Sequence, residues 1–480
     1  MVRPLLAPLL ISVAISAGLA SNGAAQQTPP IAPNIQTTPL PPPVGLPAPP
    51  APPPADVPSR PLTADEAALI ALRHQPNVTV ARANVAAAQG RTQQVRAGLL
   101  PNLSLSAGYT HQETLATEGG SITAAGGGTT GGTTGTTGTT GAFPGYQAAV
   151  TVRQLLFDFN HTRDLVRQAQ ALERTATATL TRVQADLVLQ VKQAFYNYVQ
   201  NVRLVDVNTA NVRNRQAQLD LAQARLRAGL GLPSDVVRAQ TAVADAIFTL
   251  NQAQNSASVA RASLALLMGI DPRTPIDVTD TGEPPIATND VNALVTTALA
   301  QRPEVQEARS TVQAAQYGVG AARTTNAPSF GANLSLFTRG ANFPPGNDFF
   351  SVGVSVAFPL YDAGLTAGLV KEARATLESA QAQLTNTQLT VTSDVSQAYL
   401  NLRTAEQRVT TADAEVANAE ESVRLAEGRY RAGLGTFLDV LDAQTSLLTA
   451  RTNRVNAQTA VNQARAALTR AIGTPIAAPR

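Results

Sequence analysis

Arg225-Leu-Arg-Ala-Gly-Leu-Gly-Leu-Pro-Ser-Asp-Val-Val-Arg-Ala-Gln-Thr241 returns 204 residues later as Arg429-Tyr-Arg-Ala-Gly-Leu-Gly-Thr-Phe-Leu-Asp-Val-Leu-Asp-Ala-Gln-Thr445, with eleven of seventeen positions identical. The same offset pairs Val152 with Val356, Leu156 with Leu360, Asp158 with Asp362, Gln193 with Gln397, Asn197 with Asn401 and Gly269 with Gly473. Upstream the offset widens to 227, pairing Pro76 with Pro303, Val78 with Val305, Arg82 with Arg309 and Pro101 with Pro328. The 23-residue difference matches a Gly/Thr block at 119–141. The chain is therefore written twice, with one loop insert in the first copy. A long duplicated chain builds a stacked or ring-like architecture rather than one catalytic pocket.

Working outward, each copy contains the same parts in the same order. The first repeat covers 62–270, a linker rich in Pro, Asp and Thr covers 271–290, and the second repeat covers 291–480. Each repeat opens with a short helix and a longer one, broken at Pro76 and Pro303, where proline starts a helix well and cannot continue one. Two alternating segments follow, about 102–112 and 145–157 in the first repeat and 329–338 and 349–358 in the second. Leu103, Leu105, Ala107 and Tyr109 alternate with Asn102, Ser104, Ser106 and Gly108, and period two puts one set on each face of a strand. Phe337 breaks this alternation in the third segment. Four such strands fit either a soluble sheet covered by helices or part of a transmembrane barrel, apolar outside and polar inside. Each is about ten residues, the length a tilted strand needs to cross hydrocarbon. The helices are alanine-rich and cover such a face poorly, which favours the membrane reading.

The longest helical runs come next, in the hairpins 162–269 and 365–472. Apolar residues from Leu165 to Val205 recur about every 3.64 residues, nearer a straight helix than a left-handed supercoil. Long coiled coils are one reading; staves of a wide cylinder are the other. Each outgoing run spans roughly 100 Å at 1.5 Å per residue and stops at Ala-Gly-Leu-Gly. Gly229 and Gly433 suit a helix stop because glycine accepts the left-handed conformation. The return helices, roughly 55 Å long, are too short to reach the strands. End-to-end stacking with the short opening helices would complete the distance.

Composition limits the remaining classes. Apolar residues make up 44% of 480 residues but aromatics only 4%, which suits close helix packing rather than thick cores. A net charge of +3 implies no nucleic acid. The start, Arg3 followed by an apolar run from Leu5 to Leu19 and small residues at Ala20 and Ala25, reads as a signal peptide over 1–25. A polyproline-like linker covers 26–61. With no cysteine there are no disulfides, thiolate metal sites, cysteine nucleophiles or lipid-modified N-terminal cysteine. No later apolar run is long enough for a spanning helix, so membrane insertion must use strands.

The duplication, the paired strands, the Leu156-Phe157-Asp158 and Leu360-Tyr361-Asp362 turns and the two Arg-x-Arg-Ala-Gly-Leu-Gly tips together resemble the TolC-like outer-membrane factor family, over about 62–473. That resemblance implies a mainly α membrane protein and a homotrimer. Each chain would give four transmembrane β-strands to a twelve-stranded barrel and its long helices to a periplasmic α-helical barrel. The assembly would be the exit duct of a tripartite efflux pump or type I secretion system, in outer-membrane lipid. Its partners would be a periplasmic adaptor (membrane fusion) protein and an inner-membrane transporter. Four strands cannot close a barrel alone, and an open edge is not tolerated in lipid, so oligomerisation follows the same logic.

By motif match, the resemblance implies adaptor contacts at Arg225, Arg227, Gly229, Leu230, Arg429, Arg431, Gly433 and Leu434. The bland reading makes the glycines helix stops and the arginines solvated. Asp439 and Asp442 lie three apart and share a helix face. They match the family's acidic constriction, with Asp235 as the counterpart of Asp439 and Arg238 in the place of a second acid. Tyr430 matches a tyrosine that latches the closed tip. The alternative for the acids is an N-terminal turn suited to the helix dipole.

Catalysis finds no support. His74, His111 and His161 are scattered without metal-ligand spacing, and nucleotide and nucleophile-elbow motifs are lacking. The sequence implies no cofactor and no metal site. Acidic pairs such as Glu420 and Glu421 read as solvated faces. The competing function is a periplasmic coiled-coil adaptor or structural spacer, which would lack amphipathic strands.

Overall fold

The computed structural model of the chain describes residues 60–110, 145–285 and 290–473. The signal segment, nearly all of the proline-rich linker, the Gly/Thr block and His111 lie outside the described residues. The first repeat contains α1 (Ala64–His74), α2 (Pro76–Ala97), β1 (Asn102–Thr110), β2 (Gly145–Phe157), α3 (His161–Arg227) and α4 (Pro233–Met268). The second contains α5 (Val291–Gln301), α6 (Pro303–Arg323), β3 (Ser329–Gly340), β4 (Asn347–Ala357), α7 (Leu365–Arg431) and α8 (Phe437–Ile472). Among the described residues no helix is long and apolar enough to cross a membrane.

α3 and α7 are each 67 residues long and unbroken. Their starts explain the repeated aspartate motif. The Asp158 carboxylate accepts the Thr162 N–H at 2.8 Å, and Asp362 accepts those of Thr366 at 2.9 Å and Gly364 at 3.0 Å. Each aspartate thus satisfies otherwise unpaired amides at the head of a long helix, where its charge also suits the dipole. His161 Nδ1 lies 2.9 Å from the Ala321 carbonyl, so this histidine ties the head of α3 to the end of α6.

The return helices stop short of the sheet, and the opening helices continue their line. Gly269 ends α4 with φ of +73°, and a Cβ there would lie 2.9 Å from the His74 backbone at the α1–α2 junction. Gly473 ends α8 in the same way, against Arg302 at the α5–α6 junction. Glycine is required twice over, by the left-handed backbone and by the close approach. Apolar cores form beside these junctions, one around Val191, Phe195, Leu264 and Met268 and one around Val391, Val395, Leu468 and Ile472.

The linker between repeats is clamped to α3 by buried charge. Lys192 Nζ lies 2.8 Å from both Glu283 and Asp65, the Tyr196 hydroxyl donates to Glu283 at 3.1 Å, and Arg203 meets Asp280 at 2.6 Å. Burial would lower the Lys192 pKa, but its bonds to Asp65 and Glu283 outweigh that and hold it above the usual lysine value.

The four strands form one antiparallel sheet in the order β1-β2-β3-β4. Register makes each face continuous. Leu103 pairs with Val152, Val152 with Leu334 and Leu334 with Val352, so one face is apolar from edge to edge. Ser104, Thr151, Ser335 and Ser351 form an equivalent row on the other face. β3 runs two residues further and β4 starts two residues earlier than alternation predicts, because Arg339 still pairs with Asn347. A bulge between Leu155 and Phe157 lets Phe157 pair with Phe330 on the apolar face.

Candidate functional site

Two regions are candidates for a functional role: the sheet's apolar face and the tips of the two helical hairpins. On the sheet, Leu103, Leu105, Phe350, Val352, Val354 and Val356 are all exposed. Among the described residues no helix covers them. Aromatic side chains bracket this face. Tyr109 and Tyr146 lie 4.9 Å apart at the loop end, with Phe343 5.5 Å from Tyr146. Phe157 contacts Phe159 at 4.8 Å and Phe330 at 6.3 Å at the helical end. Along β2 these bands are about 35 Å apart, which a 45° tilt reduces to about 25 Å, the height of an outer-membrane apolar band between aromatic girdles.

At the tips, the Ala-Gly-Leu-Gly motif is a Schellman stop written twice. The Leu230 N–H donates to the Arg225 carbonyl at 2.9 Å and the Gly229 N–H to Leu226 at 3.0 Å. Leu434 and Gly433 repeat this with Arg429 at 2.9 Å and Tyr430 at 3.1 Å. Gly229 and Gly433 have φ of +73° and +75°. The tip leucines Leu230 and Leu434 are 72% and 74% exposed, an apolar point on each hairpin.

The structure separates the arginines that the sequence grouped. Arg227, Arg238 and Arg429 are exposed, and Arg431 is exposed while pairing with Glu427 at 3.3 Å. Arg225, one of the residues matched to adaptor contact, is engaged between the hairpins. Its Nη1 donates to the carbonyls of Tyr430 at 2.8 Å and Arg431 at 3.1 Å, and its guanidinium lies 4.6 Å from the Tyr430 ring centroid. The Tyr430 hydroxyl donates to Asp235 at 3.4 Å. Burial, then the Asp235 charge, pushes the Tyr430 pKa up. Beneath them Leu219, Ala222, Ala239, Phe437 and Val440 form a small apolar core.

Asp439 and Asp442 occupy different positions. Asp439 completes a capping box at the start of α8: its carboxylate accepts the Thr436 N–H at 2.9 Å, and its own N–H donates to Thr436 Oγ1 at 3.2 Å. Hydrogen bonds from Thr436, then the nearby Arg429 charge, hold its pKa below the usual carboxylate value. Asp442 is exposed.

Above the tips lies a feature that the repeat pattern alone did not reveal. α3, α7 and α8 enclose a groove of about 550 Å³. Glu427 accepts from Gln218 at 2.7 Å and Gln444 at 3.3 Å, and both glutamines are 6% exposed. Buried amides at apolar stripe positions were the available signal. Glu420 and Glu421, read as solvated, form exposed ion pairs with Arg451 and Arg424. Among the described residues no cluster of His, Asp and Glu could hold a metal ion.

The chain is similar over part of its length to known proteins. It is 27% identical to protein CyaE of Bordetella pertussis over 319 residues, covering 65% of this chain and 63% of that protein. It is 26% identical to the outer membrane efflux protein BepC of Brucella suis over 236 residues, covering 48% of this chain and 51% of that protein. The matched region thus spans less than two thirds of either relative. The crystal structure of the outer membrane protein VceC from Vibrio cholerae superposes with a TM-score of 0.72 at 22% identity, covering 85% of this chain and 96% of VceC. The family model described as outer membrane efflux protein matches 69–270 and 294–474, one match per repeat. With its duplicated halves, four-stranded sheet and long helical hairpins, the chain belongs to the outer membrane efflux protein family.

Proposed function

We propose that three copies of this chain pool their sheets into one closed barrel across the outer membrane and their helices into a periplasmic duct. The duct is the exit of a tripartite efflux pump or type I secretion system. The observation that carries this reading is the sheet: one apolar face between two aromatic bands, one polar face, and two edge strands, β1 and β4, with no further partner among the described residues. Lipid tolerates no open edge, so the edges pair between copies. The helical part supports the same assembly. α4 exposes Val237, Phe248 and Val259, and α7 exposes Leu389, Leu400 and Leu425, surface that neighbouring copies would cover. A periplasmic spacer, the competing function, has no use for an uncovered apolar sheet.

The conduit is passive and closes at its tip. Arg225, Tyr430 and Asp235 hold the two hairpins together, and Asp439 and Asp442 line the narrow end as carboxylate rings that attract cations. The adaptor meets Arg227, Gly229, Leu230, Arg429, Arg431, Gly433 and Leu434 and enters the groove above them. The inner-membrane transporter selects the cargo. Purified protein in planar bilayers tests the reading: cross-linked trimers and stepwise conductance are expected. A detergent-free soluble monomer that leaves bilayers ion-tight would overturn it.

A further inference from the structure

The polar face of the sheet carries one row that does not belong to a simple water-filled wall. Beyond the serine and threonine row, toward the loop end, the next row is Ser106, Ala149, Phe337 and Phe349. Phe337 and Phe349 are the large apolar side chains of this face, apart from Leu155 at the helical end. Their rings stack with centroids 4.9 Å apart and planes 12° apart. They remain 37% and 39% exposed. The short side chains of Ser106 and Ala149 do not cover them. Holding apolar ring surface in water is unfavourable. The aromatic bands facing lipid lie on the opposite face, so membrane anchoring does not explain this pair.

A cation completes the row. Arg339, one row further out on the same face, places its guanidinium 5.1 Å from the Phe349 centroid. Among the described residues no carboxylate pairs with it. Asp348 is next in the chain to Phe349 but pairs with Thr338, which puts it on the other face. Ring surface beside an unneutralised guanidinium is complementary to a flat apolar ring bearing a negative group.

We propose that Phe337, Phe349 and Arg339 form a docking subsite on the barrel wall, near its outer end, for aromatic solutes carrying a carboxylate or sulfonate. The solute ring stacks on the phenyl pair and its anionic group meets the guanidinium. A trimer presents three such subsites. The inference rests on the reading of the polar face as the lumen of a conducting barrel.

The test uses full-length protein in planar bilayers with 2-naphthoate, cyclohexanecarboxylate and 2-naphthylmethylammonium added on the barrel side. In the wild type, 2-naphthoate interrupts the open-channel current with residence times about tenfold longer than cyclohexanecarboxylate, the ratio expected for one stacking contact. The ammonium compound gives no comparable interruption. The Phe337→Leu, Phe349→Leu double variant keeps apolar bulk and loses the distinction between aromatic and alicyclic acids. Arg339→Gln loses the preference for the anion. Equal residence of the two acids on the wild type, or unchanged naphthoate residence in both variants, overturns the subsite while the duct reading stands. Absence of any conducting channel overturns the duct reading and the subsite with it.

Discussion

The Tyr430 hydroxyl donates to the Asp235 carboxylate at 3.4 Å, joining the end of α7 to the start of α4 across the hairpin tips. The tyrosine is 4% exposed, and the arginine stacked on it, Arg225, donates from Nη1 to the Tyr430 and Arg431 carbonyls of the second hairpin and from Nη2 to the Leu230 carbonyl of its own. Here the two Arg-x-Arg-Ala-Gly-Leu-Gly motifs are used differently. Arg225 closes the contact, while its counterpart Arg429 stays exposed.

Removing the hydroxyl with Tyr430→Phe should loosen the tip. A hydrogen bond to a charged group is worth about 1.5–3 kcal/mol, and the length here argues for the lower end, so the open fraction should rise about tenfold. Single-channel recording measures it, and unchanged open probability would remove this bond from the gate. The pH dependence has a definite sign. The raised Tyr430 pKa favours the protonated donor in the folded tip. Its contribution is full below the ordinary tyrosine value near 10 and is lost above it. The gate should therefore be insensitive to this group at neutral pH and open under strong alkali.

Lys192→Met should be among the most destabilising changes in the helical part. It leaves Glu283, whose side chain is 4% exposed, without its cation. Removing one partner of a buried pair costs about 3–5 kcal/mol. Thermal unfolding followed by circular dichroism should report a lowered midpoint, and Glu283→Gln together with Lys192→Met should recover part of it. Because the Lys192 pKa is raised, this stabilisation is present below the ordinary lysine value and lost above it.

The two faces of the sheet predict opposite outcomes for neighbouring residues. Leu336→Arg puts a charge on the apolar face at mid-strand, at a cost of about 2–4 kcal/mol if that face meets hydrocarbon. Ser335→Arg puts it on the polar face, beside Thr151. Outer-membrane fractionation should recover the second variant and lose most of the first. Equal recovery of both would argue that the apolar face never meets lipid.

Gly269→Ala tests the end-to-end stacking of α4 on the α1–α2 junction. The new methyl meets His74 backbone at 2.9 Å in a left-handed conformation. The combined strain should cost about 1–3 kcal/mol. Gly473→Ala should behave alike, since it meets Arg302 at 3.1 Å with φ of +79°. A lowered unfolding midpoint in both variants is expected, and a neutral Gly473→Ala would show that the two repeats carry their joints differently.

Several parts of this architecture were legible in the chain itself. Period-two alternation in Leu103–Tyr109 fixed which side chains share a face, because the pleat leaves no other arrangement. Asp158 and Asp362 marked helix starts, and Gly229 and Gly433 marked helix ends, because each satisfies a local backbone need within a few residues. The tip arginines were legible as a motif but not in their roles. Arg225 and Arg429 open the same motif, and the second hairpin's carbonyls and the Tyr430 ring, which only Arg225 meets, give them different roles.

Sequence alone therefore determined the duplication, the order of helices and strands, the faces of the sheet and the positions of the turns. These follow from contacts within one or two turns of chain. Only the tertiary structure decided that the apolar rows of four strands align into one uninterrupted face. Only it showed that Gln218 and Gln444 converge on Glu427, that Lys192 buries against Glu283, and that Phe337 stacks on Phe349. Each of those depends on register or on packing between segments distant in the chain, and no local periodicity encodes which partner a side chain meets.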